Sequence, residues 1–193
     1  MIYQVFSKQV ITAARGPTRS PRELTAVQVL YRNLERRQDR MTPEDKLIIF
    51  RVAQWVSSGN RKVVETIRQL AETEENYWIV IREIDRVESE RSRAQILGAE
   101  ATLTLVEWFT TLVDFDWRCA YCQSRPFQVM SHVTPLPGGG TVLENCVPAC
   151  YRCSRCKKTE HVRIRVQAYL SNTKHRDENA RMLDIPSTPL PLS

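Results

Sequence analysis

Residues 117–158 read WRCAYCQSRPFQVMSHVTPLPGGGTVLENCVPACYRCSRCKK, and this stretch contains all six cysteines of the 193-residue chain. Cys119 and Cys122 form one C-x2-C pair, and Cys150 and Cys153 form a second. Each pair can present two thiolates from one tight turn, and two such pairs together make the tetrahedral sulfur cage that suits Zn²⁺. Because four thiolates fill the coordination shell, the spacing predicts a structural zinc and not a catalytic one.

Two further cysteines lie beside this frame. Cys156 follows Cys153 by three residues and is an alternative ligand, but we favour Cys150 and Cys153 because they mirror the first pair. Cys146 falls in an apolar run and is predicted to be a small core residue. Cysteines clustered in an otherwise cysteine-free chain indicate metal binding and not a secreted disulfide scaffold. Because residues 1–10 contain too short an apolar stretch for a signal peptide, we expect a cytoplasmic protein.

The segment between the cysteine pairs predicts two short strands and a helix. Alternating residues favour a strand at 129–133, and a proline- and glycine-rich loop follows at 135–140. A second strand is predicted at 141–147, and a helix from near residue 150 to about 170. The order is ββα, with predicted zinc thiolates at both ends.

One motif in this segment resembles a known enzyme family. The string HVTPLPGGG beginning at His132, then Asn145, then C-x2-C-x3-K beginning at Cys150, is similar to the HNH endonucleases. The resemblance covers residues 117–160, roughly a quarter of the chain. It implies a ββα finger that holds one divalent metal ion and cuts DNA.

The resemblance also implies roles for individual residues. His132 would be the general base for water attacking a phosphodiester, with its imidazole facing outward. Asn145 would fix the loop and orient the histidine. Ser131 and Ser154 occupy the expected ligand positions for Mg²⁺ or another divalent ion. Most relatives have Asp before the histidine and His or Asn at the later position, so these hydroxyls are weak ligands.

The same segment carries the excess positive charge of the chain. Residues 114–176 contain ten Lys or Arg against four Asp or Glu, whereas the rest of the chain has 18 of each sign. This balance favours a polyanionic partner, here DNA, although a solvated basic helix face is the alternative. Residues 138–140 are glycines that would allow a tight connection and close phosphate approach. The predicted phosphate-contacting residues are Arg152, Arg155, Lys157 and Lys158.

The sequence before the cysteine frame predicts helices. Thr42-Pro43-Glu44-Asp45 is a helix-start signal, as is Ser20-Pro21-Arg22-Glu23. Residues 74–113 predict one long helix or two in line, with a break or kink at Gly98. The alternating charges at 82–93 favour an exposed helix face. The apolar residues at helical spacing predict a packed core and not a cofactor site.

The predicted organisation is therefore a mostly α chain with a small zinc-stabilised ββα (HNH-type) module. The predicted parts are 1–19, an arm or short strand; 20–113, a helical domain; 114–176, the HNH-like module; and 177–193, a flexible proline-rich tail. Hydrophobic residues make up 42% and charged residues 26% of the chain, without a run long enough to span a membrane. The helical region is a candidate surface for a protein partner or self-association.

Three functions follow from the sequence as expectations. The leading one is an HNH-type DNA endonuclease with a structural Zn²⁺ and a catalytic divalent ion. The second is a catalytically degenerate, zinc-dependent DNA-binding module. The third is a protein–protein adaptor in which the helical region dominates.

Overall fold

The computed structural model describes residues 41–58, 64–156 and 166–170. Its elements, in chain order, are α1 (Pro43–Ser57), α2 (Val64–Leu70), α3 (Glu74–Ile96), α4 (Leu105–Asp114), β1 (Val129–His132), β2 (Cys146–Ala149) and α5 (Tyr151–Cys156). The fold is mostly helical with one two-stranded sheet, which confirms the predicted class at that level. The predicted arm, the first predicted helix and the tail lie outside the described residues.

Helix α1 begins where the sequence predicts. The Thr42 side chain accepts a hydrogen bond from the backbone N–H of Asp45 at 3.1 Å, and the Asp45 carboxylate accepts one from the backbone N–H of Thr42 at 2.9 Å. This reciprocal capping box satisfies two N–H groups at the helix start. The same carboxylate accepts a bond from Asn76 Nδ2 at 3.1 Å, which ties α1 to α3.

The break predicted at Gly98 is confirmed. Helix α3 ends at Ile96, and Gly98 adopts a positive φ of 68°, the conformation that ends many helices. Helix α4 then starts with a second capping box, between Thr104 and Glu107. The connection between α3 and α4 reaches the histidine-bearing segment, because the backbone N–H of Leu103 donates to the carbonyl of Thr141 at 3.1 Å.

A fully buried carboxylate holds α3 and α4 together. Glu83 accepts hydrogen bonds from Arg82 at 2.8 Å, from Arg86 at 2.7 Å and from Trp108 Nε1 at 2.9 Å. Burial by itself raises the pKa of Glu83, but the two arginines and the indole outweigh it and hold the pKa below its usual value. Arg82 is also buried, so the exposed face predicted at 82–93 is wrong at its first turn.

The Glu83 cluster also fixes the approach to β1. Arg86 Nη1 donates to the backbone carbonyl of Gln128 at 3.1 Å, one residue before the strand. The Phe127 ring lies 5.8 Å from the guanidinium carbon of Arg82 and 5.5 Å from that of Arg86. Apolar packing therefore continues from the helices into the sheet. The buried members beyond residue 114 are Trp117, Phe127, Met130 and Cys146.

Strands β1 and β2 pair antiparallel, with His132 opposite Cys146 and Val129 opposite Ala149. The second strand, predicted at 141–147, starts later than predicted. Residues 141–145 form turns, and pairing starts at Cys146. The Asn145 side chain stabilises these turns, because it accepts a hydrogen bond from the Thr134 N–H and donates one to the Gly140 carbonyl. Of the helix predicted at 150–170, the described residues include α5 and a helical stretch at 166–170.

Candidate metal centre and histidine strand

Two distant turns bring four cysteine sulfurs together. One turn holds Cys119 and Cys122, and Cys150 and Cys153 lie at the start of α5. All four Sγ atoms lie within 4.8 Å of one another. A tetrahedral Zn²⁺ with Zn–S bonds of about 2.3 Å needs sulfurs about 3.8 Å apart, so the donor set and its spacing fit this ion.

The protonation of these thiols fits a cage that a cation completes. Burial raises the pKa of Cys119, and burial together with the neighbouring sulfurs raises the pKa of Cys153. Burial would also raise the pKa of Cys122, but hydrogen bonds with Ser124 outweigh it and lower the pKa to about 6. A bound Zn²⁺ would supply positive charge that favours the deprotonated form of Cys119 and Cys153.

The other two cysteines are placed as predicted. Cys156 is exposed at the end of α5 and lies outside the four-sulfur group. Cys146 is buried in the apolar core beside α4, and burial raises its pKa to about 12. The structure groups Cys150 and Cys153, and not Cys156, with the first pair, and these four cysteines could hold a metal ion.

His132 is the last residue of β1, and its side chain is only 9% exposed. Its Nε2 atom lies 2.9 Å from Oγ1 of Thr141, a residue with no exposed surface. The sequence predicts an outward-facing imidazole, and this prediction is wrong because the ring is largely buried. The physical reason is the turn at 141–145, which folds over the ring instead of continuing as a strand.

The Asn145 amide fixes the loop before it, as predicted. Its Oδ1 accepts from the backbone N–H of Thr134 at 2.7 Å, and its Nδ2 donates to the carbonyls of Thr134 at 2.9 Å and Gly140 at 2.8 Å. These bonds go to the loop and not to the His132 ring. The side chain that contacts His132 Nε2 is that of Thr141. The sequence did not predict this contact, because a lone threonine after a glycine run does not indicate a functional residue.

Comparisons with family models, curated proteins and solved structures each returned no match. The likeness to HNH endonucleases therefore rests on the sequence motif alone.

The two predicted catalytic-metal positions lie on β1 and on α5. Ser131 is buried, with its Oγ 3.4 Å from the Tyr121 hydroxyl, and Ser154 lies half-buried on α5. Across residues 41–58, 64–156 and 166–170, the four cysteines are the only group of three or more Cys, His, Asp or Glu close enough to hold an ion. A site for a catalytic divalent ion is therefore not shown among the described residues.

The predicted phosphate-contacting arginines are accessible. Arg152 and Arg155 are exposed on α5, which packs against β1. The neighbouring Tyr151 ring is 53% exposed. Lys157 and Lys158 lie outside the described residues. Among the residues that the structure describes, no helix combines the length and apolarity needed to cross a membrane.

The glycine run has two positions that do not accommodate a side chain, Gly140, which has a φ of +67° and would place a Cβ 2.9 Å from the Glu100 carbonyl oxygen, and Gly139. A Cβ on Gly139 would lie 2.4 Å from Asn145 Nδ2 and 2.5 Å from the Thr134 carbonyl oxygen, whereas a Cβ on Gly138 would meet ordinary contacts from 3.5 Å. Gly139→Ala is expected to lower the free energy of unfolding by about 2 kcal/mol through overpacking. Gly138→Ala is the matched control and should change it by less than about 0.5 kcal/mol. Urea unfolding measures both, and equal effects would contradict the loop geometry.

Proposed function

We propose that this chain is an HNH-type DNA endonuclease in which His132 is the general base. The observation that carries the proposal is the placement of His132 on the first strand of a ββα unit whose ends are joined by the cysteine cage. The cage would hold one structural Zn²⁺ through Cys119, Cys122, Cys150 and Cys153. That ion supplies folding energy and no chemistry, since four thiolates leave no open position.

The proposed reaction is hydrolysis of a phosphodiester. The imidazole of His132 takes a proton from water, the water oxygen forms a bond to phosphorus, and the bond from phosphorus to the leaving oxygen breaks. The leaving oxygen takes a proton from solvent. Arg152 and Arg155 would bind the phosphates and fix the strand in place.

A nicking assay tests the proposal. The full chain is incubated with supercoiled plasmid and Mg²⁺, Mn²⁺ or Ni²⁺, and His132→Gln is expected to lower the rate by about 100-fold or more. His175→Gln makes the same substitution at another histidine and should leave the rate unchanged. Equal rates in wild type and His132→Gln would show that the activity belongs to a contaminant or another site.

A second candidate function is a DNA-binding module that does not cut. The observation that favours it is that the Ser131 hydroxyl is buried, 3.4 Å from the Tyr121 hydroxyl. This burial makes a predicted metal-ligand position inaccessible. This reading predicts no nicking in any metal, together with DNA affinity that falls steeply between about 50 and 200 mM salt. Arg152→Ala should weaken that binding and reduce its salt dependence. Absence of DNA binding at any salt concentration would leave the adaptor function.

A further inference from the structure

Tyr151 carries an exposed aromatic ring that takes no part in the core of the protein. Its side chain is 53% exposed. Every other Trp, Phe or Tyr of the described residues belongs to one of two apolar clusters, one among the helices and one around the cysteine cage. Tyr151 belongs to neither, and in the described part of the chain it is the only aromatic residue among the exposed large apolar side chains. Core packing therefore does not explain an aromatic residue at this position.

The ring shares one face of α5 with two guanidinium groups. At 3.6 residues per turn, Arg155 projects about 40° and Arg152 about 100° from the direction of Tyr151. The burial of α5 follows this geometry, because these three residues are exposed whereas Cys153, on the opposite side, is buried. Helix α5 contains no acidic residue. Its exposed face therefore combines a flat aromatic surface with two positive charges.

The start of α5 is held from two directions. The backbone N–H of Tyr151 donates to Oε1 of Gln128, the residue before β1, at 3.0 Å. Cys150 and Cys153 lie on either side of Tyr151 in the sequence, and their sulfurs belong to the four-cysteine group. Because the backbone around Tyr151 is fixed, only its side-chain torsions remain to be ordered when a ligand binds, which favours affinity.

We propose that Tyr151 stacks on an unpaired base of single-stranded DNA while Arg152 and Arg155 bind the phosphates beside that base. Proteins hold single strands through this combination, in which aromatic rings contact bases and cationic groups contact the backbone. The bases of a duplex are stacked on one another and leave no free face for the ring. The partner class comes from the proposed function, on which this inference rests, and the Tyr151 ring narrows it to DNA with unpaired bases.

The test is the binding of the full chain to a fluorescein-labelled DNA strand of about 12 nucleotides, compared with the duplex of the same sequence. Fluorescence anisotropy gives both affinities. Wild type should bind the single strand more tightly. Tyr151→Ala should weaken single-strand binding by about 10-fold and leave duplex binding unchanged, because stacking on one base is lost. Tyr151→Phe keeps the ring and should bind as wild type does, as should Ile96→Ala, which shortens an exposed apolar side chain on α3.

Salt dependence and an abasic strand separate stacking from charge. Tyr151→Ala should keep the wild-type salt dependence because it removes no charge, whereas Arg152→Ala should reduce that dependence. Wild type should bind the strand with bases about 10-fold more tightly than an abasic strand of the same length, a comparison that needs no variant. On the abasic strand, wild type and Tyr151→Ala should bind equally, since no base is present to stack.

Three results would overturn the inference. They are equal single-strand affinities of wild type and Tyr151→Ala, an equal loss on the single strand and on the duplex, and equal wild-type affinities for the strands with and without bases. The expected binding pattern in a chain that cuts no DNA would support the stacking role and refute only the nuclease function. DNA cleavage that depends on His132, together with binding that is indifferent to Tyr151, would refute only the stacking role.

Discussion

Cys119→Ser is expected to abolish the proposed zinc binding and unfold the ββα module. The substitution takes one of four sulfurs from a cage whose members lie within 4.8 Å of one another. Structural zinc sites in small folds contribute binding free energies of about 10–16 kcal/mol at neutral pH, most of which acts as folding free energy. The zinc content per chain, measured by elemental analysis, and the thermal melt followed by circular dichroism report the two effects separately.

The matched control for the cage is Cys156→Ser, which makes the same change at an exposed cysteine outside the four-sulfur group. This variant should keep one zinc per chain and the wild-type melting temperature. A chelator added to wild type should reproduce the Cys119→Ser result. Zinc loss in Cys156→Ser together with full zinc in Cys119→Ser would mean that the ligand set is wrong.

Glu83→Gln is expected to lower the free energy of unfolding by about 3 kcal/mol, because it leaves two guanidinium groups in the protein interior without their carboxylate. The carboxylate is fully buried, and Arg82 and Arg86 are mostly buried as well. Urea unfolding measures the difference. Glu88→Gln is the matched control at an exposed position of the same helix and should change stability by less than about 0.5 kcal/mol.

The Glu83 effect should also depend on pH in one direction. The pKa of Glu83 is lowered in the folded protein, so its ionised form stabilises the fold at every pH above the unfolded-state pKa. That contribution is lost as the pH falls below this value toward the lower folded-state pKa. The stability gap between wild type and Glu83→Gln should therefore be widest near neutral pH and shrink in acid. A gap that widens as pH falls would contradict the assigned charge.

Local signals in the sequence predicted most of the frame. The C-x2-C spacing predicted the four-cysteine group because each pair is a self-contained turn, and the structure brings those four sulfurs together. The capping box at Thr42 and the break at Gly98 were also predicted, since both depend on residues a few positions apart. Such features need no knowledge of the tertiary fold.

Two of the errors involve a partner that lies far away in sequence, and the third involves a side chain that bonds to its own loop. Charge alternation at 82–93 is typical of an exposed face, but Glu83 finds Trp108 on another helix 25 residues later. The His132 ring is covered by Thr141, and that residue is fixed by Glu90. Apolar residues at 142–143 were interpreted as strand, although the Asn145 amide bonds hold that segment as turns.

The central claim is that one ion on four sulfurs holds the histidine-bearing module. Zinc X-ray absorption spectroscopy of the purified full chain tests this claim most directly. The account predicts a first shell of four sulfurs at about 2.3 Å. A shell that contains a nitrogen or oxygen ligand at about 2.0–2.1 Å, or zinc below one equivalent in folded protein, would contradict it.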